Sequence, residues 1–241
     1  LAYECFTAMD MKFVETFARD TIAVIPKGAI YFGGTDPGRG VITAFVNSHA
    51  DADPFFVLTQ NALADGLYLK FLAATFGKKI YVPTEDDSSK AFEAYKADAG
   101  LRLDEDRLKP GEKVSRKDGK IEVEGMISVM EINALLAKVT FDKNPKREFY
   151  VEESFPLDWM YPYLSPRGPI MKLNRQSVLA LSESVLDADR KYWGKLTDRF
   201  LGAWLTETTS VQTVCEFVER VYADAQLDGF TGDLEYVLAD R

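Results

Sequence analysis

A chain of 241 residues, 46% of them hydrophobic and 28% charged, is long enough to form one large domain with a buried core. The net charge of −9, without basic runs interleaved with aromatic residues, argues against nucleic acid as a partner. No stretch approaches the roughly 18 consecutive apolar residues of a membrane-spanning helix. Two distant cysteines, Cys5 and Cys215, form neither a disulfide framework nor a metal motif, although one disulfide between them stays open.

Short apolar runs alternate with segments of helical periodicity through the first 181 residues. This alternation is typical of βαβ units and predicts an α/β fold, a Rossmann-like, doubly wound and mostly parallel sheet with helices on both faces. The predicted strands are 29–32, 55–59, 79–82, 149–152 and 169–173. The predicted helices are 9–25, 41–48, 62–76, 87–99 and 127–139.

Charge density rises and apolar residues thin out over 101–125, which predicts an exposed insertion. Within it, Asp118-Gly119 between two short alternating runs predicts a β-hairpin. From residue 182 onward the pattern is helical, over 182–205 and 208–223. We therefore expect an α/β domain over 1–181 and a helical C-terminal segment over 182–241 that packs on it.

A glycine loop, Gly33-Gly34-Thr35-Asp36-Pro37-Gly38-Arg39-Gly40, follows the first predicted strand. Its glycines permit close backbone approach, and Asp36-Pro37 is typical of a helix N-cap followed by proline. A helix that starts here would direct free N–H groups at a ligand, with Arg39 adding positive charge. The loop matches neither a Walker A motif nor a dinucleotide fingerprint, so it predicts a binding site without naming nucleotide chemistry.

Polar side chains follow the predicted strands at their carboxyl ends. Ligands of open parallel sheets bind beyond those ends, so we expect these residues to share one crevice. The competing interpretation is that Asp, Ser and Thr at such positions only cap helices. The candidate ligand-binding residues are Gly33, Gly34, Thr35, Asp36, Arg39, Gln60, Asn61, Thr84, Glu85 and Glu153.

Two acidic patterns are candidate metal sites. Glu152 and Glu153, with acidic residues 85–87, could hold a divalent cation or perform acid–base work, but neighbouring strand residues point to opposite faces. Residues 224–235 match an EF-hand loop at positions one, five, six and twelve, yet fail at Gln226 and Gly232. An ordinary glycine-rich connection is favoured there, and no metal site is assigned.

Catalytic signals are weak. His49, the single histidine, precedes Asp51 and Asp53, but a histidine near a helix end is more often a favourable charge than a catalyst. A Gly-x-Ser-x-Gly elbow is absent from the sequence, which argues against a Ser-His-Asp triad. No catalytic residue and no cofactor is assigned.

The aromatic stretch 155–164, with Trp159, Tyr161 and Tyr163, permits two interpretations. Its rings suit the apolar faces of sugars, which would make it a stacking platform. A buried segment at a strand end is the commoner outcome for such a run. The tyrosine hydroxyls favour partial exposure.

Several segments together resemble the extramembrane part of a bacterial family of large membrane proteins similar to protein O-mannosyltransferases. They are AIYFGGTDPGRG, VLTQNALADGLYLKFL, IYVPTEDDSSKAFEAY, VMEINALLAKVTFDKN and FYVEESFPLDWMYPYLSPRGPIMKLN. The resemblance covers roughly residues 10–199, and the glycine loop is its most specific part. It implies a periplasmic or extracytoplasmic location, with membrane contact only through segments outside this chain. It also implies sugar or acceptor binding, with the transfer step performed elsewhere.

The sequence therefore predicts a non-catalytic domain that binds a sugar, a glycolipid phosphate or an acceptor peptide at the glycine loop and the neighbouring strand ends. The alternative is an autonomous, cytoplasmic Rossmann-like enzyme that uses a nucleotide, a sugar phosphate or an S-adenosyl cofactor in the same crevice. A third alternative is a structural docking module for another subunit, with an exposed apolar patch on the C-terminal helices.

Overall fold

The fold is described from a computed structural model, over residues 11–35, 37–45, 55–224 and 226–233. It is an α/β protein built on a mixed, mostly parallel five-stranded sheet. The chain divides into two compact units, of which the larger comprises residues 25–164 and 170–179. The smaller unit comprises residues 1–24, 165–169 and 180–241.

The strands of the sheet are β1 (Ile30–Gly33), β2 (Phe56–Thr59), β5 (Phe149–Glu152), β6 (Leu164–Arg167) and β7 (Ile170–Leu173). Their order in the sheet is β2-β1-β5-β7-β6. β1 pairs in parallel with both β2 and β5, and β7 runs antiparallel to β5. The chain thus leaves β1 on one side to form β2 and returns on the other side to form β5.

The helices of the larger unit follow the predicted order, with shifted ends. A π-helical turn, Pro37–Val41, leads into the short α2, and a 3₁₀ turn, Gln60–Ala62, precedes α3. The helices are α2 (Ile42–Phe45), α3 (Gly66–Phe76), α4 (Glu85–Asp104) and α5 (Met126–Lys143). A second 3₁₀ helix, Asp158–Tyr163, follows β5.

One face of the sheet carries the main core. Ile30, Phe32 and their register partners on β2 and β5 point to this face, where α3 and α5 supply Leu72, Leu136 and Phe141. All four residues of β1 and all four of β5 are buried, as expected for central strands covered on both sides. Burial of these apolar side chains fixes the register, because a slip of one residue would exchange the two faces.

The predicted hairpin is confirmed. β3 (Lys113–Lys117) and β4 (Lys120–Glu124) pair antiparallel. Asp118 and Gly119 between them adopt φ of 50° and 76°, the positive values that a tight two-residue hairpin turn of type I′ requires.

The predicted strand 79–82 is wrong. The Lys79 and Ile80 N–H groups donate to the Phe76 carbonyl in a turn after α3. The Tyr81 N–H then donates to Asn144 Oδ1 at 2.8 Å, and the Tyr81 carbonyl accepts from Asn144 Nδ2 at 3.0 Å. A side-chain amide at the end of α5 therefore satisfies the backbone groups that a neighbouring strand would have bonded. β6 was not predicted, because residues 164–167 follow an aromatic run without alternation.

The smaller unit is helical in its described part, with α1 (Met11–Val24), α6 (Glu183–Phe200) and α7 (Val211–Val218) followed by a π-helical turn, Glu219–Ala223. Phe217 and Val221 form a small core with Trp204 and Phe230. Cys215 is an exposed free thiol, whereas Cys5 lies outside the described residues. None of the helices in the described ranges is long and apolar enough to cross a membrane.

A buried carboxylate anchors the insertion to α4. The Glu112 side chain is fully buried and accepts hydrogen bonds from Tyr95 Oη at 2.8 Å, the Lys109 N–H at 2.9 Å and the Arg102 guanidinium. Burial alone would raise the pKa of Glu112, but these donors outweigh it and hold the pKa below its ordinary value of 4.5.

We predict that Glu112→Gln lowers the free energy of unfolding by about 3 kcal/mol at pH 7, because Arg102 then keeps only the exposed Asp98 as an ionic partner. A depressed pKa stabilises the fold above the unfolded pKa, and that contribution is lost as pH falls through the folded pKa. The wild type should therefore lose more stability than Glu112→Gln between pH 5 and pH 3, in urea titrations followed by circular dichroism. Glu122→Gln on exposed β4 is the matched control and should change stability by less than about 0.5 kcal/mol.

Candidate functional site

The carboxyl ends of β1, β2 and β5 meet at one edge of the sheet. The order of these strands reverses between β1 and β5, and in open α/β sheets this switch point is where ligands bind. Side chains and backbone groups that follow the three strands bond to one another here. We call them the strand-end cluster, which consists of Gly34, Thr35, Gln60, Asn61, Glu152 and Phe155.

The Glu152 carboxylate is the centre of this cluster. It accepts hydrogen bonds from the Gly34 N–H at 2.7 Å, the Thr35 N–H at 2.9 Å and the Thr35 hydroxyl. The Ser154 hydroxyl adds a fourth, at 3.2 Å. Successive backbone N–H groups of this kind form the cradle that proteins use for phosphate and other anions. In this protein the anion is a side chain of the protein itself.

Glycine at positions 34 and 38 allows the Phe155 ring and the Glu152 carboxylate to pack directly against the backbone of the loop. A Cβ at Gly38 would lie 1.9 Å from Glu152 Oε2, and a Cβ at Gly34 would lie 2.1 Å from Phe155 Cδ1. Both distances are far inside van der Waals contact, so any larger residue would displace the carboxylate or the ring. The Thr35 hydroxyl also accepts from the Gly38 N–H at 3.1 Å, which closes the loop on itself.

Gln60 and Asn61 connect the end of β2 to the other two strands. The Gln60 side-chain amide donates to the Phe155 carbonyl, and Asn61 Nδ2 donates to the Gly34 carbonyl at 3.0 Å. Asn133 on α5 braces this connection, because its Nδ2 donates to the Asn61 carbonyl at 2.9 Å and its Oδ1 accepts from the Ala64 N–H at 2.6 Å. Gln60 Oε1 and Asn61 Oδ1 are buried and have no hydrogen-bond partner in the described part of the chain.

Two tyrosines near the cluster have perturbed acidities. Burial, followed by the negative charge of Glu152, raises the pKa of Tyr31, whose buried hydroxyl lacks a partner among the described residues. Burial also raises the pKa of Tyr68, although hydrogen bonding with Thr59 and the positive charge of Arg39 partly offset that rise. Both hydroxyls are therefore neutral at physiological pH and can act only as hydrogen-bond partners.

The structure brings together Gly33, Gly34, Thr35, Gln60 and Asn61 of the candidate residues. Asp36 lies outside the described residues, and Arg39 is half-buried within the π-helical turn. Glu153 is exposed in the turn that follows β5, whereas Glu152, the last residue of β5, is buried.

Thr84 and Glu85 lie at the N-terminus of α4. Thr84 is its N-cap, and with Asp87 it forms a capping box in which each side chain bonds the other's backbone. Tyr81 Oη donates to Asp87 Oδ2 at 2.5 Å. Neither Thr84 nor Glu85 contributes a hydrogen bond to the strand-end cluster in the described structure.

A groove opens beside the cluster, and Phe155 belongs to both. Its volume is about 430 Å³, within the roughly 300–1,000 Å³ of typical small-molecule sites. Aromatic rings of Phe155, Trp159 and Tyr161 form one side, and α5 forms the other. Tyr161 is 60% exposed, whereas its neighbour Met160 is fully buried. The aromatic stretch therefore contributes residues both to the surface of the groove and to the core.

Charges line the groove in equal numbers of each sign, Lys109 and Lys138 against Glu131 and Asp158. Lys109 pairs with Glu131, and Lys138 pairs with Asp142 at 2.6 Å while its ammonium lies 5.6 Å from the Trp159 ring centroid. Asp158 has no side-chain partner among the described residues, and the buried Trp159 Nε1 has none either. The groove thus offers a carboxylate and two paired lysines around aromatic surface.

The sequence reasoning missed the α5 side of the groove. Glu131, Ala134 and Lys138 recur at helical spacing and could have identified a face of α5 with both charge and small residues. Nothing in the sequence pairs that face with residues 154–161, because the contact depends on β5 lying beside α5 in the fold.

A metal site receives no support in the described ranges, where no group of three or more His, Cys, Asp or Glu side chains could hold an ion. His49, Asp51 and Asp53 lie outside the described residues, as do Ala225 and residues 234–235 of the EF-hand-like segment.

Comparison with known proteins found no match among protein-family models, curated proteins or solved structures. The likeness to the O-mannosyltransferase-like family consequently remains an expectation from the sequence segments quoted above.

We predict that Gly38→Ala lowers the free energy of unfolding by about 1–3 kcal/mol, because the new methyl group would occupy the position of the Glu152 carboxylate. Gly40→Ala is the matched control. Nothing lies within 4 Å of a Cβ there, so the substitution should be neutral or stabilise the fold by about 0.5 kcal/mol. Urea unfolding followed by circular dichroism measures both, and equal effects would contradict the close approach at Gly38.

Proposed function

We propose that this chain is a non-catalytic carbohydrate-binding domain whose groove between α5 and residues 154–161 takes an uncharged sugar. The single observation that carries the proposal is the composition of that groove. It combines exposed aromatic surface with paired charged groups and one unpaired carboxylate in a volume of about 430 Å³.

Sugars present both apolar C–H faces and many hydroxyl groups. The Tyr161 ring, more than half exposed, offers a flat apolar surface for a sugar face. Around it, Asp158 can accept from sugar hydroxyls, and the lysine ammonium groups can donate to them. Because these groups converge from two sides, they can fix the orientation of a ring that stacks on the tyrosine.

The charges favour an uncharged sugar over the glycolipid phosphate that the glycine loop first indicated. The lining carries two positive and two negative side chains, so no net charge attracts a phosphate. The backbone donors of the glycine loop already bind Glu152, and a phosphate would have to displace that carboxylate. The enzyme alternative meets the same obstacle where its cofactor is a nucleotide or a sugar phosphate, because that phosphate would need those donors; an S-adenosyl cofactor carries no phosphate and does not meet it.

We further propose that the sheet is of the Rossmann-like, doubly wound type and that the domain accompanies a glycosyltransferase-like membrane protein. The first part is supported by β1 lying between β2 and β5 in parallel. The second part is supported by the sequence resemblance alone. In such a protein the domain would hold a sugar-bearing chain near a catalytic centre that lies in other segments.

We predict that Tyr161→Ala weakens the binding of neutral oligosaccharides of mannose or glucose about tenfold, which corresponds to ~1.4 kcal/mol. The reason is loss of the stacking surface, since the ring is exposed and its removal should leave the fold intact. Isothermal titration calorimetry with each oligosaccharide gives the affinity of the wild type and the variant.

The control is Phe71→Ala, which removes another ring, 58% exposed on α3, that does not line the groove. It should leave affinity unchanged. Glucose 1-phosphate should bind no better than glucose. Tight binding of the phosphorylated sugar alone, or equal affinity of the wild type and Tyr161→Ala, would overturn the proposed function.

A further inference from the structure

A second cleft lies between the start of α3, the first turns of α4, and α5. Its volume is about 550 Å³, and none of its lining residues belongs to the sugar groove. The lining that matters here consists of Asn61, Asp65, Ser88, Phe92, Val129 and Ile132.

The polar groups of this cleft are mainly acceptors. Asp65 caps α3 through Oδ1, which accepts from the Leu67 N–H at 2.7 Å, and its exposed Oδ2 has no partner among the described residues. The Ser88 hydroxyl likewise has no described partner. Asn61 also lines the cleft, and its buried Oδ1 has no hydrogen-bond partner in the described structure.

Apolar surface lies below these acceptors. Val129, Ile132 and the ring of Phe92, which is 40% exposed, form a floor on the two helices. A ligand that suits the cleft therefore has an apolar stem and a head that donates hydrogen bonds.

The surrounding charge is negative. Asp65 carries the one formal charge of the lining, and α4 begins with Glu85, Asp86 and Asp87, which directly precede Ser88. Two lysines of the same helix are paired: Lys90 with Asp86 at 2.6 Å, and Lys96 with Glu93 at 3.4 Å, while the Lys96 ammonium lies 5.3 Å from the Phe92 ring centroid. This balance favours a positively charged head over a neutral one.

We propose that this cleft binds a primary alkylammonium group, such as a lysine side chain of a peptide or a free alkylamine. The ammonium would donate to Asp65 Oδ2 and Ser88 Oγ, and its stem would lie on Phe92, Val129 and Ile132. The site differs from the sugar groove in its residues and in the charge of its ligand, and it does not rest on the proposed function.

The test uses the full chain, labelled with ¹⁵N, and two probes: n-butylammonium and Nα-acetyl-lysine N-methylamide. Both should produce saturable amide shifts at residues 61–65, 88–92 and 129–132. n-Butanol, which has the same stem without the charge, should bind at least tenfold more weakly. Binding of n-butylammonium alone would identify the ligand as a small free amine. Equal binding of the lysine derivative would identify it as a lysine side chain of a peptide.

Asp65→Asn should weaken both probes at least tenfold while it preserves folding, because asparagine also caps helices. Phe92→Ala should weaken them as well, through loss of the ring. Asp118→Asn at the hairpin tip is the control for the change of charge and should have no effect. Absence of saturable shifts, equal binding of butanol, or equal weakening by Asp118→Asn would overturn the proposal.

Discussion

The fold of the site depends on a buried carboxylate that the protein supplies to its own backbone. Glu152 is 5% exposed at the end of a central strand, and removing a carboxylate from water costs several kcal/mol unless strong hydrogen bonds replace the water. Here the hydrogen bonds of water are replaced by the Gly34 and Thr35 N–H groups and by the Thr35 and Ser154 hydroxyls. Glycine at position 38 leaves the necessary space. The glycine loop and β5 are consequently held in one geometry.

The contact between Glu152 and the glycine loop also positions the groove between α5 and residues 154–161. Phe155 follows Glu152 by three residues, packs against Gly34 on one side and lines the groove on the other. Gln60 holds its carbonyl, so three strand ends determine where the ring lies. A crevice that serves phosphate in many α/β proteins is thereby filled by the protein, and the open surface lies beside it. This displacement of the open surface is the reason that we propose a neutral ligand and not an anion.

Periodicity and turn chemistry predicted much of the fold. Strand 149–152 and the hairpin turn at Asp118-Gly119 agree with the structure, because they depend on local patterns. The strand expected at 79–82 was wrong because Asn144, more than sixty residues away, bonds its backbone. For the candidate site, the sequence predicted the glycine loop, but it did not predict that the Glu152 side chain would accept the hydrogen bonds of the loop. That Glu152 reaches Gly34 depends on β1 and β5 being neighbours, and a single sequence does not show strand order.

The most direct test of a neutral-sugar groove beside a closed loop is the indole N–H spectrum of the protein. The chain has three tryptophans, of which Trp159 lines the groove, Trp193 is exposed on α6 and Trp204 donates to the Leu201 carbonyl. In a titration with a neutral mannose or glucose oligosaccharide, we expect the Trp159 resonance alone to shift and to saturate. An unchanged Trp159 resonance across the titration, or parallel shifts of all three, would contradict the account.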